Sequence, residues 1–165
     1  MKILLITLLS TLTQASTYAQ SFPEKCSGVW TGSMQIFQRG EWRDSVEVRL
    51  TISKTSVPNE WIWRTEYLSK NLPMTKDYLL RIKDEEKHSY IMDEKNGIEL
   101  NAYLFNNKLF SVFETQEILL TSTYELTQEN LIFEVTSGKK TGQRDDSVIN
   151  YSVDNLQRVM FKKSG

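Results

Sequence analysis

Apolar and polar residues alternate at every second position through most of this chain, and no stretch keeps a helical period. Between residues 46 and 52, for example, Val48 and Leu50 fall on one face of an extended segment, whereas Glu47 and Arg49 fall on the other. A strand with one buried and one solvated face gives this pattern, which is typical of antiparallel sheets. The pattern predicts strands at 29–38, 45–54, 61–69, 77–83, 88–93, 98–104, 108–114, 116–126, 131–138 and 147–162.

Short turn signals separate these segments. Asn96-Gly97 is the strongest of them, because both residues tolerate positive φ, and Arg39-Gly40 marks another turn. Longer connections are expected at 70–76 and 139–146. An open sheet of about ten sequentially paired strands would expose two unpaired edges. We therefore expect an all-β domain that closes into an antiparallel up-and-down β-barrel of about 8–10 strands.

Composition limits the partners of this domain. The chain has 165 residues, of which 39% are hydrophobic and 25% charged, with a net charge of −1, and these values suit one globular domain. Charges of both signs are spread along the sequence without a basic run, so we expect no nucleic-acid partner and no polybasic membrane patch. Cys26 is the only cysteine, which rules out an internal disulfide, and we expect it to pack under the start of the barrel. We expect a monomer.

The first residues resemble an export leader. Lys2 supplies a positive charge, residues 3–12 are apolar, and Thr17-Tyr18-Ala19 offers a small-x-small cleavage site before Gln20. This apolar stretch is short for a bilayer span, so we expect no transmembrane helix in the mature chain. The sequence predicts a signal peptide at 1–19 and a lipocalin-like β-barrel domain at 20–165, located in the periplasm or outside the cell.

A tryptophan between two glycines opens the first strand, in Gly28-Val29-Trp30-Thr31-Gly32. The indole of Trp30 supplies bulk, and Gly28 and Gly32 allow neighbouring backbone to approach closely. We expect this motif to fill the closed end of the barrel.

The motif resembles the first strand of the calycins, the superfamily of lipocalins, fatty-acid-binding proteins and related barrels. The resemblance implies that a basic residue near the last strand covers the tryptophan, and Arg158 is the match here. The short connection after the first strand cannot hold the two-helix lid of fatty-acid-binding proteins. A lidless ten-stranded barrel resembling the haem-binding nitrobindin group fits the strand count. That resemblance requires an axial histidine, and His88 is the only histidine in the chain.

Aromatic residues on the apolar faces of several strands are the candidate ligand-binding residues. Three share one face of a single strand, and three lie on other strands: Trp61, Trp63, Tyr67, Tyr90, Phe113 and Tyr124. They either pack the interior or line a cavity, and Ser111 and Ser122 on the same faces favour a cavity, because packed cores rarely contain serine.

Residues for catalysis or metal binding are scarce. One histidine and one cysteine exclude a histidine-rich metal cluster and a thiolate site. His88 follows a charged run at a predicted turn, so we expect it on the surface, and haem would be bound only if His88 faced the cavity. Asp145-Asp146 could help to hold Ca²⁺ but is better explained as a charged loop. We expect no enzyme, no metal and no cofactor.

The sequence therefore predicts an exported protein that holds an apolar or amphipathic ligand inside a β-barrel. Two alternatives stay open. One is a filled barrel that contacts another protein or a glycan in the envelope or outside the cell. The other is a small outer-membrane barrel, because alternation does not show whether the apolar face points inward or outward.

Overall fold

The computed structural model describes residues 20–142 and 147–164. The predicted signal peptide at 1–19 and the Asp145-Asp146 pair lie outside these ranges. Within them the chain forms a short helix followed by ten strands: α1 (Phe22–Cys26), β1 (Gly28–Gln38), β2 (Glu41–Lys54), β3 (Glu60–Tyr67), β4 (Met74–Asp84), β5 (Ser89–Asp93), β6 (Glu99–Phe105), β7 (Lys108–Thr115), β8 (Ile118–Leu126), β9 (Asn130–Lys140) and β10 (Tyr151–Lys163).

Each strand pairs with the next in antiparallel fashion, and β10 pairs with β1. The result is a closed up-and-down barrel of ten strands, which confirms the predicted fold class. Inward-facing residues alternate with outward-facing ones, as on β2, where Val48 and Leu50 are buried and Glu47 and Arg49 are exposed. None of the described residues forms a helix long and apolar enough to cross a membrane.

The strand bounds differ from the predicted ones where turns are tighter than expected. Arg39 and Gly40 both have positive φ, 52° and 80°, and this two-residue turn lets β2 begin at Glu41, in register with Gln38. Gln116 and Glu117 also have positive φ, 50° and 62°, so they form the turn before β8 and do not belong to the strand.

The helix α1 was not predicted. Ser21 caps it: the Ser21 backbone N–H donates to the Glu24 carboxylate at 2.9 Å, and the Ser21 hydroxyl donates to the same oxygen at 3.0 Å. Phe22 and Cys26 are buried, so this single turn covers one end of the barrel, which we call the closed end.

Trp30 lies at the closed end and is 3% exposed. Its indole N–H donates to the Cys26 carbonyl at 2.8 Å, and the Lys163 ammonium lies 5.3 Å from the centre of its ring. Gly32 is needed beside it, because a Cβ at this position would lie 2.8 Å from the Met160 carbonyl oxygen. The motif thus joins α1, β1 and β10.

The prediction that Arg158 covers Trp30 is wrong. Arg158 lies opposite Gln35 on β1, and its half-exposed guanidinium faces Glu134 at 3.7 Å on the outer surface. Because Val159 and Phe161 are the buried residues of this strand, alternation turns Arg158 outward. Lys163, in register with Trp30, supplies the cation instead.

Candidate functional site

The barrel interior is filled near the closed end and contains a cavity of about 910 Å³ towards the opposite end, which we call the open end. Residues of the open-end connections line it, including Ser69, Leu72 and Ile98. Most of the wall is apolar and comes from inward-facing positions on many strands: Met34, Ile36, Val46, Met92, Leu100, Ala102, Leu109, Phe113, Leu120, Phe133 and Val135.

An aromatic stack forms the floor of the cavity. Tyr124 lines the cavity and meets the ring of Trp63 edge to face, with 5.1 Å between ring centres. Trp63 is fully buried and stacks on Phe22 of α1 at 6.4 Å. The floor is therefore supported from beneath by the helix that covers the closed end, so α1 holds the aromatic floor in place.

Four hydroxyl groups lie together above this floor, and we call them the hydroxyl cluster: Thr65, Tyr67, Tyr78 and Tyr124. Burial raises the pKa of Tyr124, while the adjacent Trp63 and Thr65 side chains act in the opposite direction. Burial also raises the pKa of Tyr67 and of Tyr78, and the Glu94 carboxylate adds to the rise at Tyr78. All three phenols are therefore uncharged at neutral pH.

Charged side chains line the cavity where it opens at the open end of the barrel, and we call this opening the mouth. In the part of the chain that the structure describes, Asp44, Glu94 and Glu114 contribute three carboxylates, and Lys76 contributes one ammonium group. The Lys76 ammonium lies 5.9 Å from the centre of the Tyr78 ring, beside the tyrosine that Glu94 also influences. Glu114 accepts a hydrogen bond of 2.7 Å from the Tyr151 hydroxyl. Among the described lining residues, carboxylates thus outnumber ammonium groups at the mouth.

The backbone pairing of the wall is least continuous between β6 and β7, and we call this boundary the seam. These strands are in register at Tyr103–Phe110, Leu104–Leu109 and Phe105–Lys108, all near their turn at the closed end. Beyond that point the Ser111 hydroxyl bridges to the Asn101 carbonyl at 2.8 Å. Leu100 and Phe113, which follow towards the open end, line the cavity beside this seam. The seam is the part of the wall that backbone pairing supports least.

The structure divides the six predicted ligand-binding residues into two groups. Tyr67, Phe113 and Tyr124 line the cavity, together with Ser111 and Ser122. Trp61, Trp63 and Tyr90 are buried and do not line it, which corrects the prediction for these three. They face inward as expected, but they lie nearer the closed end, where side chains fill the barrel.

Sequence reasoning missed Thr65 and Tyr78. Thr65 lies between Trp63 and Tyr67 on the same face of β3, so the alternation already placed it inside. Tyr78 lies opposite Trp63 in the β3–β4 ladder, and pairing the two strands through their loop would have found it.

His88 is exposed in the turn between β4 and β5, with φ of 52°, and does not line the cavity. Cys26 is buried, and burial raises the pKa of its thiol to about 12, which makes it a poor nucleophile or ligand. Across residues 20–142 and 147–164, histidine, cysteine and carboxylate side chains do not gather in a group that could hold a metal ion.

Comparison with known proteins identifies the fold. No protein-family model matches the sequence, and no curated protein matches it. The structure is similar to a protein of unknown function from the DUF3598 family of Nostoc punctiforme PCC 73102, with a TM-score of 0.51 and 13% identity over 84% of this chain and 47% of that one. This chain therefore spans about half the length of that protein. It is also similar to a mutant of the fluorescent protein UnaG, with a TM-score of 0.49 and 14% identity over 86% and 98% of the two chains.

The likeness to the DUF3598 protein is a likeness of fold. It supports the closed antiparallel barrel as the fold of this chain, and the expected role of the Gly28-to-Gly32 motif as a family signature stays a prediction.

Proposed function

We propose that this protein binds a small apolar or amphipathic molecule inside its barrel. One observation carries the proposal: the interior contains a cavity of about 910 Å³, although side chains could have filled it. Pockets of about 300–1,000 Å³ with mainly apolar walls and a few polar groups are those that hold small ligands in proteins. Here the apolar walls surround the hydroxyl cluster, which gives the cavity both features.

The walls supply affinity, and the polar groups supply orientation. Each methylene group that leaves water for this interior contributes about 0.8 kcal/mol. Tyr67, Phe113 and Tyr124 add aromatic surface to the aliphatic wall. The hydroxyls of the cluster allow a polar atom of the ligand to enter without losing all of its hydrogen bonds.

The two alternative functions, a filled interaction barrel and an outer-membrane barrel, fit these observations less well. A filled barrel that works through its loops does not need an interior space of this volume. An outer-membrane barrel turns its apolar face to the lipid. In this barrel the outer surface carries cross-strand ion pairs instead, including Arg49–Glu66 at 3.5 Å and Arg64–Asp77 at 3.1 Å. We propose a binding protein without catalytic activity, acting as a monomer.

We also propose that the protein is exported and that residues 1–19 are removed. The support is the sequence pattern of Lys2, the apolar stretch and the cleavage site before Gln20. Mass spectrometry of the protein isolated from cell envelope and medium should give a mature chain that begins at Gln20. A chain in both fractions that keeps Met1 would contradict this proposal.

The binding proposal is tested by titrating the purified protein with N-phenylnaphthylamine, an uncharged fluorophore that brightens in apolar surroundings. We expect saturable binding of one molecule per chain with a Kd below about 10 μM, or roughly 7 kcal/mol of binding free energy. Competition with fatty acids, retinoids and haem then ranks ligand classes. Fluorescence that rises without saturation, as it does on nonspecific surfaces, would contradict the proposal.

A further inference from the structure

The polar groups deep in the cavity are uncharged. The hydroxyl cluster combines the threonine hydroxyl of Thr65, which is 5% exposed, with the phenols of Tyr67, Tyr78 and Tyr124. An ionised ligand group placed here would lose most of its hydration and would find hydroxyls as partners. A hydroxyl or carbonyl oxygen, by contrast, would exchange hydrogen bonds to water for hydrogen bonds to the cluster.

A buried indole N–H lies beside the cluster. Trp63 is fully buried, and among the described residues its N–H forms no well-aligned hydrogen bond, although the Tyr124 hydroxyl lies close to it. Trp63 touches the ring of Tyr124 and influences its hydroxyl, so this donor belongs to the same polar region. Buried donors without well-formed hydrogen bonds are rare in native structures, because burial removes their hydrogen bonds to water. The region therefore contains an indole N–H donor in addition to its hydroxyls.

The mouth disfavours anions. Among the described residues, three carboxylates line it and one ammonium group does, on Lys76, 5.9 Å from the centre of the Tyr78 ring. A fatty-acid anion would have to pass this acidic rim before it reached the uncharged cluster.

We infer that the ligand carries an uncharged oxygen acceptor, a hydroxyl or carbonyl, which enters first and binds at the hydroxyl cluster. The alkyl or aromatic remainder of the ligand then lies along the apolar wall towards the mouth. This inference rests on the proposed function and names its ligand class: neutral amphipathic molecules, in preference to carboxylate or ammonium amphiphiles.

The test compares three twelve-carbon probes that differ in their polar end: methyl dodecanoate, dodecanoate and dodecylammonium. Each displaces N-phenylnaphthylamine from the purified protein below the concentration at which the probe aggregates. We expect methyl dodecanoate to bind at least about tenfold more tightly than either ion. The ester is more hydrophobic than the two ions, and this difference would favour its binding in every variant alike. The decisive measurement is therefore the change in the Kd of the ester between variants.

Two variants remove single hydroxyls from the cluster, and a third is the matched control. Tyr124→Phe and Thr65→Val should each weaken methyl dodecanoate binding about three- to tenfold, the value of one hydrogen bond. Tyr90→Phe removes a phenol from the same barrel interior but away from the cavity, so its affinity should equal that of the unmodified protein. Thermal unfolding of each variant verifies that it is folded.

The possible results separate this inference from the proposal on which it rests. Saturable fluorophore binding together with dodecanoate binding that matches the ester and is lost in Lys76→Met would overturn the inference and leave the binding function standing. Equal effects of Tyr124→Phe, Thr65→Val and Tyr90→Phe would also overturn it. Absence of binding by the fluorophore and by all three probes would overturn both.

Discussion

Trp30 connects three parts of the closed end, and its removal tests how much this connection contributes to stability. The indole is 3% exposed, donates to Cys26 of α1 and lies under Lys163 of β10. Trp30→Ala should lower the free energy of unfolding by about 3–5 kcal/mol, the range for large buried aromatic residues. Urea denaturation measures the change.

The control for this prediction is Trp42→Ala. Trp42 lies on β2 and is 59% exposed, so its removal should change stability by less than about 0.5 kcal/mol. A loss below about 1 kcal/mol for Trp30→Ala would show that the glycine-flanked tryptophan does not hold the closed end together.

Cys26 gives a prediction about pH. Burial raises the pKa of its thiol from 9.0 to about 12. Between these values the unfolded chain loses the thiol proton while the folded chain keeps it, so stability falls as the pH rises through this window. The free energy of unfolding should fall more steeply from pH 9 to pH 11 in the unmodified protein than in Cys26→Ala. Parallel slopes for the two proteins would contradict the burial of a neutral thiol.

Single residues also show the limit of sequence reasoning. The resemblance to the calycins implied a basic partner for Trp30, and a basic residue is present. Its identity, Lys163 and not Arg158, depends on the register of β10 against β1. A shift of one residue in the pairing reverses which side chains face inward. The sequence of β10 alone does not specify its register against β1.

At the level of strands, the seam between β6 and β7 is the weakest part of the wall. Residues 99–102 and 111–115 pair with β5 and β8 on one side, but their ladder with each other is confined to the turn end. The comparable part of β9 pairs with β8 and β10 along both edges. Hydrogen exchange at the two seam segments should be at least about tenfold faster than at residues 131–137.

Mass spectrometry of exchanged peptides makes this comparison within one sample. Equal protection of the seam and of β9 would show that side-chain contacts such as Ser111–Asn101 close the wall as firmly as backbone pairing does. In that case the seam would not serve as a route into the cavity.

Strand positions could be predicted, because they follow from local alternation. All ten segments of the sequence correspond to the ten strands of the barrel. The helix α1 was missed because five residues are too few for a helical period to show, although Ser21 and Glu24 already carried the capping pattern. The turn at Gln116 and Glu117 was missed because neither residue is a common choice for positive φ.

At the level of the whole molecule, the sequence predicted an aromatic barrel interior but not the position of the cavity within it. Trp63 and Tyr67 share a face of β3, yet one is buried beneath the cavity and the other lines it. Their roles differ because α1 and Trp30 fill the closed end, while small residues such as Ala102 and Ser122 leave room above them. Such a volume is a property of the closed barrel and not of any single strand.

The central claim is that this interior space holds the ligand, and filling it tests that claim most directly. Ser122→Phe places a ring in the cavity, whereas Thr121→Phe, at the neighbouring position of β8, places the same ring on the outer surface. The measurement is the Kd of N-phenylnaphthylamine for both variants and for the unmodified protein. We predict that Ser122→Phe weakens binding at least about tenfold, roughly 1.4 kcal/mol, and that Thr121→Phe leaves it unchanged. Undiminished binding by a folded Ser122→Phe protein would contradict the account.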